Sequence, residues 1–398
     1  MKYRLDRNGE KISQLGYGCM RFSKKGPVID YEKAEKEVLY AIEMGINYYD
    51  TAYVYPGSEE CLGKILAENN CREKVKIATK LPQYIIRNSA QIDKIFAEEL
   101  ERLRTDYIDY YLMHMFTDYV EWENLQKNGI EDWIKVHKEN GSIKNIGFSY
   151  HGDSSMFIKI LNAYDWDFCQ IQYNYLDEFS QAGVDGLKAA AEKGIPVIIM
   201  EPLRGGKLVN LPAKAMDRLK QTSGNYTAAE LGLRWLWNQS EVTCVLSGMN
   251  SLEMVQENIK IASDASVGSF TEDDYKVVED IKKIFREREK VGCTGCRYCM
   301  PCPMGVDIPG IFYYYNLMYM ENKASGRFGF AQNLGMRQEA CFATQCIECG
   351  KCEKHCPQHL DIRNKLKEAD KALRPLPYKI GIKVARRVMK RKTKTKKK

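Results

Sequence analysis

The sequence predicts an eight-stranded parallel (β/α)8 barrel followed by a small, mainly helical domain. Two observations predict the barrel. Short β-rich runs alternate with amphipathic helical segments through residues 1–265, and eight such units fit that length. A third observation predicts the second domain. Of 14 cysteines, five (Cys19, Cys61, Cys71, Cys169 and Cys244) are scattered over residues 1–244, whereas nine crowd between Cys293 and Cys356. The composition changes near residue 288, in the charged run Arg286-Glu-Arg-Glu-Lys290. The expected organisation is a barrel over 1–287, a cysteine-rich domain over 288–375 and a basic tail over 376–398.

The elements follow in order. Leu15–Cys19 is the first strand. Residues 31–44 form a helix whose face carries Ala34, Val38, Ala41 and Ile42, stopped by Gly45. Strand Ile46–Asp50 leads to a helix capped by Ser58 and running to Leu66. Val75–Thr79 is a buried strand. Residues 89–103 are helical, with Ile92, Phe96, Leu100 and Leu103 on one face. Tyr107–Met113 is the fourth strand, followed by a helix over 122–139. Strands Ser142–Phe148, 167–172 and Ile195–Met200 alternate with helices 154–163 and 181–193. Thr227-Ala-Ala-Glu230 reads as a capping box opening helix 227–238. Strand Val242–Leu246 and helix 251–262 close a TIM barrel. A doubly wound sheet is the alternative, but no GxGxxG follows the first strand.

Composition narrows the function classes. No apolar run reaches 18 residues, so no membrane span is expected. The opening MKYRLDRNGEKIS lacks an apolar core, so no secretory leader is expected and the location is expected to be cytoplasmic. Cysteines in that setting bind metal or do chemistry more often than they form disulfide frameworks. The net charge of +7 is a property of the tail. Residues 379–398 carry eleven Lys and Arg and no acid, which leaves −4 for the rest. Nucleic-acid binding by the folded body is therefore not expected.

Catalytic groups of a (β/α)8 barrel sit past the C-terminal ends of its strands. Here Asp50 ends the second strand, Tyr55 lies in the next loop, Lys80 ends the third and His114 the fourth. Taken singly, each residue type is ordinary at a strand end. Together they provide a proton donor of reference pKa roughly 10, a cation to lower it, an anion to hold that cation, and an imidazole able to donate to a carbonyl.

These motifs resemble the aldo-keto reductase family over about two thirds of the chain. The resemblance is carried by Asp50-Thr-Ala-x-x-Tyr55, Gly57-Ser-Glu-x-x-Leu-Gly63, Ile77-Ala-Thr-Lys80 and Tyr107-Ile-Asp-Tyr-Tyr-Leu-Met-His114. Ile146-Gly-Phe-Ser149, Gln170-Ile-Gln172-Tyr-Asn and Glu257-Asn258 follow in the same order. It implies hydride transfer between a nicotinamide and a small carbonyl or alcohol. Tyr55 would be the general acid with its pKa lowered by Lys80, Asp50 would hold Lys80, and His114 would orient the carbonyl oxygen. It also implies that Ser149 and Gln172 hold the carboxamide and that Glu257 and Asn258 bind the cofactor. Three departures stand out. Met200 takes the place of the aromatic that stacks on the nicotinamide, and Tyr150-His151 replaces the usual Asn after the serine. The positions of the cations for a 2′-phosphate are Gly248 and Met254. NADP and NAD therefore both stay open, NADP requiring that Arg204 or Lys207 reach that phosphate, and the stretch Arg204-Gly-Gly206-Lys207 could cradle a pyrophosphate.

The cysteines form two runs. Cys293-x2-Cys296-x2-Cys299-x2-Cys302-Pro comes first, and Cys346-x2-Cys349-x2-Cys352-x3-Cys356-Pro follows the bacterial ferredoxin spacing. Eight thiolates suit two 4Fe-4S clusters. The last cysteine of each run reaches across, giving Cys293, Cys296, Cys299 and Cys356 for one cluster and Cys302, Cys346, Cys349 and Cys352 for the other. Zinc held by paired CxxC motifs is the alternative. Cys341 is expected to be a buried or free thiol, and His355 and His359 surface residues. Between the runs, Ile308–Met320 has helical spacing, which resembles helical ferredoxin-type domains appended to redox enzymes. Its aromatic stripe, Phe312 to Tyr315, is expected in a core or against the barrel.

The tail from Val388 is expected to be disordered, and either merely solvated or attracted to an acidic redox partner or an anionic membrane surface. Three functions compete: a carbonyl reductase coupled to electron transfer, an electron-transfer or interaction module on a non-reducing barrel, and a reductase whose clusters are structural only. No flavin motif is present to divide a hydride's two electrons into single ones.

Overall fold

The computed structural model describes the backbone of residues 1–394 except Thr294, Cys296, Gln338 and Pro357, and side chains as far as Arg387. The chain forms two compact units, Met1–Val278 and Glu279–Lys398. Their division falls inside the helix Glu272–Arg286, nine residues before the change in composition at 288.

In the first unit eight parallel strands close a barrel: β1 Leu15–Gly18, β2 Tyr48–Asp50, β3 Lys76–Leu81, β4 Ile108–Phe116, β5 Ile143–Tyr150, β6 Phe168–Gln172, β7 Val197–Met200 and β8 Val242–Ser247. Each strand pairs with its successor, and β8 closes on β1 with Leu246 opposite Gly16 and Ser247 opposite Tyr17. The interior is filled by Tyr48, Tyr110, Leu112, Phe168, Ile198 and Leu246. Ile12, from an N-terminal hairpin that precedes the barrel, joins that cluster. A packed interior of this kind leaves only the mouth for chemistry.

The helices match the sequence reading closely where apolar spacing is regular. The helix Ser89–Leu103 starts and stops as expected, with Asn88 as its N-cap. Three local expectations are corrected. Gly57, in the left-handed region at φ 74°, stands at the N-cap position in place of Ser58. The Ser58 hydroxyl pairs with Thr51 Oγ1 at 2.8 Å and donates to the Cys19 carbonyl. The helix expected over 122–139 is two helices, Tyr119–Gln126 and Ile130–Glu139, because the chain turns left-handed at Gly129. Only half of the capping box at Thr227 forms: its hydroxyl accepts from the Glu230 amide, but the Glu230 carboxylate pairs with Arg234.

The second unit is helical. Ile308–Met320 is its centre, with Phe312, Tyr314 and Tyr315 buried alongside Leu334, Leu366 and Leu373. The aromatic stripe is thus core. Asp307 caps this helix and receives Arg337 at 2.9 Å. Asn316 ties the segment before the first cysteine run to the helix: its carbonyl accepts from the Lys290 and Val291 amides, and its amide returns to the Val291 carbonyl.

The expectation of a disordered basic tail over 376–398 is corrected for residues 376–394. Leu376–Lys394 is one helix, and residues 395–398 lie outside the described ones. Composition misleads here because docking needs few residues. Ile382 is buried against Gly335. Arg386 donates to the carbonyls of Gly335 and Arg337 while its guanidinium stands over the Phe342 ring. Among the described residues, no helix is long and apolar enough to cross a membrane.

Candidate active site and cluster-binding residues

At the C-terminal mouth of the barrel, β2, β3 and β4 are neighbours, so the strand ends that carry Asp50, Lys80 and His114 adjoin. Lys80 is only 1% exposed. Its Nζ donates to both Asp50 carboxylate oxygens at 2.7 Å and to the Thr51 carbonyl at 2.5 Å. Tyr55 is held by a turn in which its amide donates to the Ala52 carbonyl. Its ring centroid lies 5.4 Å from Lys80 Nζ and 6.0 Å from the His114 ring, which it meets edge-on at 83°. Tyr84, not singled out by sequence, brings a second ring 6.4 Å from His114.

Electrostatics sets the protonation states. Burial holds the His114 imidazole well below its usual range, and the Lys80 charge adds to that effect. His114 is therefore neutral, and its buried Nδ1 has no hydrogen-bond partner. Burial pushes the Asp50 carboxyl up, while Lys80 opposes that rise. The expected lowering of the Tyr55 pKa by Lys80 is not found. Burial, followed by the Asp50 charge, pushes the phenol upward. Tyr55 is accordingly held in its protonated, acid form.

Farther round the mouth, the Ser149 hydroxyl accepts from the Met115 amide at 2.8 Å, which leaves its own O–H to donate. The Gln172 amide donates to Asp177 at 2.8 Å, and its Oε1 is buried without a partner. Asp177, which the sequence reading missed, also binds Arg204 at 2.9 Å. His151, next to Tyr150, likewise keeps a buried Nδ1 without a partner.

In the second unit, Cys302, Cys346, Cys349 and Cys352 line a cavity of about 340 Å³ that Cys299 also reaches. Cys293, Cys299 and Cys356 line a second, smaller cavity. The last cysteine of each run thus lies with the other run. Cys296 lies outside the described residues. Among the described residues, no three Cys, His, Asp or Glu side chains converge as a single ion requires; the sulfurs ring cavities instead. The second run bends through left-handed Glu348 and Gly350, and the Glu348 amide points at Cys346 Sγ at 3.4 Å. Cys341 is buried away from both cavities, its thiol directed to the Leu334 carbonyl. His355 and His359 are exposed, His355 at the edge of the larger cavity.

The family model for aldo/keto reductases matches residues 14–283. The chain belongs to the aldo/keto reductase family. A 4Fe-4S dicluster domain model matches residues 292–360, so this is a reductase barrel fused to an iron–sulfur type domain. An aldo-keto reductase of Mycolicibacterium vanbaalenii is 30% identical over 59% of this chain and 80% of its own length. L-Galactose dehydrogenase of Arabidopsis thaliana is 28% identical, over 65% of this chain and 87% of its own. Among solved structures, an aldo-keto reductase from Bacillus halodurans in its holo form aligns with a TM-score of 0.58 at 25% identity, covering 71% of this chain and 96% of its own. The relatives are oxidoreductases, and the chain is assigned to that enzyme class.

Within this reductase the remaining predicted cofactor residues divide. Asn258 is buried and donates to Ser247 Oγ at 2.9 Å, fixing the loop after β8. Glu257 is exposed and accepts from the Thr227 hydroxyl. Met200 ends β7, partly exposed at the mouth. Gly248 is exposed. Arg204 is buried, with its guanidinium engaged by Asp177, so it does not stand out as the substitute phosphate cation.

Proposed function

We propose that the barrel reduces a small aldehyde or ketone to an alcohol, or runs the reverse, with a nicotinamide dinucleotide, and that the second unit carries two 4Fe-4S clusters serving electron transfer. The observation that carries the barrel reading is the buried Lys80–Asp50 pair beside the Tyr55 and His114 rings. A bound dinucleotide would supply or accept the hydride. The protein residues do the rest. Tyr55, kept protonated, gives its proton to the carbonyl oxygen, and neutral His114 donates a hydrogen bond to the same oxygen. Lys80 lies near enough to stabilise the phenolate left behind. Ser149 offers a donor and Gln172 Oε1 an unpaired acceptor, the pair of groups a carboxamide needs. The relatives' names cover both cofactors: an NADH-specific methylglyoxal reductase of Escherichia coli and an NADP-linked aldo-keto reductase of Schizosaccharomyces pombe.

For the clusters we assign Cys293, Cys296, Cys299 and Cys356 to one and Cys302, Cys346, Cys349 and Cys352 to the other. Soft thiolates spread round a cavity suit a multi-iron cluster better than one zinc ion. The clusters would supply single-electron transfer, and the amide at Cys346 Sγ is the kind of contact that sets a potential. A redox protein partner is proposed to exchange those electrons, with the lysines after Arg387 as an acidic-partner contact that high salt would weaken. The deciding experiment is anaerobic purification, iron and sulfide analysis, and measurement of NADH and NADPH oxidation with small aldehydes. Carbonyl-dependent oxidation supports the reading. Intact clusters without any carbonyl turnover would favour an electron-transfer module on a non-reducing barrel.

A further inference from the structure

The absence of a side chain at position 248 is explained by Arg21. After β1 the chain turns through a short 3-10 helix, Cys19–Arg21, beside the end of β8. From there the Arg21 side chain runs across Gly248. A Cβ at 248 would stand 2.8 Å from Arg21 Cδ, 3.2 Å from Cγ and 3.3 Å from Cβ. That is too close for any residue but glycine unless Arg21 moves. The tip of Arg21 reaches the loop after β7, where a Cβ at Gly205 would lie 2.9 Å from its terminal nitrogen. Gly205 and Gly206 have φ of 67° and 91°, a conformation that favours glycine on its own account.

We infer that Arg21 is the phosphate-binding cation of this barrel, standing in from β1 for the cation that Gly248 lacks. Three features of the molecule carry this. The guanidinium lies between the loops after β7 and β8, the face on which barrels of this architecture often hold a phosphate. The backbone facing it is glycine, which permits close approach by an anion. Arg21 is exposed, and among the described residues it has no ion-pair or hydrogen-bond partner, in contrast to Arg204, which is buried against Asp177. A guanidinium binds a phosphate through paired, charge-assisted hydrogen bonds. The ligand chemistry is a phosphate of a dinucleotide, either the pyrophosphate or the adenosine 2′-phosphate. The inference rests on the dinucleotide reading above.

The test uses the full, iron-loaded chain and three probes: NADPH, NADH and inorganic pyrophosphate. Binding is followed by nicotinamide fluorescence for the first two and by calorimetry for the third. Arg21→Gln should leave the melting temperature unchanged and weaken binding about 10- to 100-fold, the worth of hydrogen bonds to a charged group. It should also flatten the dependence of binding on salt. Equal weakening of NADH and NADPH identifies the pyrophosphate; weakening of NADPH alone identifies the 2′-phosphate. Gly248→Arg placed on Arg21→Ala should restore binding by returning the cation from the other strand. Unchanged affinity of Arg21→Gln for all three probes overturns the inference. If the native chain binds neither dinucleotide, the dinucleotide reading fails. In that event pyrophosphate decides the Arg21 inference separately: Arg21-dependent binding supports it, and no binding or Arg21-independent binding overturns it.

Discussion

Replacing Lys80 by methionine strands a buried carboxylate. Asp50 is 5% exposed and Lys80 1%, and the ammonium is bonded to both Asp50 oxygens. Removing one partner of such a pair costs about 3–5 kcal/mol, because the other charge stays buried without compensation. Removing both, as Lys80→Met with Asp50→Asn, leaves no uncompensated charge, and should cost no more than about 2 kcal/mol. All five tryptophans lie in the barrel unit, so urea unfolding followed by tryptophan fluorescence reports this unit. The pH dependence has a defined sign. Burial already raises Asp50 in the folded state, and loss of Lys80 raises it further. A carboxyl whose folded pKa is raised favours folding below its unfolded value and loses that contribution as pH rises through the folded one. The deficit of Lys80→Met should therefore shrink as pH falls from 7 towards 5. Single and double variants whose costs simply add, or a Lys80→Met chain that loses under about 1 kcal/mol, would mean that Asp50 is not left buried and uncompensated.

Other predictions follow from the same structure. Neutral, buried His114 should contribute no ionisation near its ordinary value, so the pH profile of kcat/KM should show no inflection at about 6.5; a limb there that vanishes in His114→Gln would contradict this. Cys356→Ser should remove the cluster of the first run and spare that of the second, lowering iron from about eight to about four per chain, and Cys302→Ser should do the converse. Loss of the second-run cluster in Cys356→Ser would show that each run serves its own cluster. Ile382→Asp should destabilise the second unit by about 2–4 kcal/mol through loss of its buried contact with Gly335. No change in the thermal transition of that unit would mean that the terminal helix is not docked.

How far the sequence could be read depended on the physical cause at each position. Helix Ser89–Leu103 was legible because Ile92 and Phe96 repeat at helical spacing and Asn88 caps it. The ends of β2, β3 and β4 placed Asp50, Lys80 and His114 together because a parallel barrel leaves one mouth. Parts of the motifs prove structural: Gly63 lies where a Cβ would be 2.3 Å from the Arg102 carbonyl, and Glu59 is buried on Arg102 and Thr79. The direction of the Tyr55 shift was not legible, since desolvation depends on packing. Nor was the terminal helix, where Ile382 and Arg386 outweigh the lysines around them. Arg21 was hidden for a related reason, because filling the side-chain space of Gly248 is a property of two adjacent strands. Of the cysteines grouped by ferredoxin spacing, Cys302, Cys346, Cys349 and Cys352 line one cavity and Cys293, Cys299 and Cys356 the other, Cys299 lining both, while Cys296 lies outside the described residues.

Carbonyl turnover by Tyr55→Phe tests whether the barrel is a reductase that uses Tyr55 as its acid. The variant keeps the ring beside Lys80 and His114 and removes only the hydroxyl, so its fold and dinucleotide affinity should match the native chain. Its kcat should fall about 10²- to 10⁴-fold with small aldehydes, the range for loss of a positioned general acid. A variant that retains native turnover would mean that Tyr55 is not the acid.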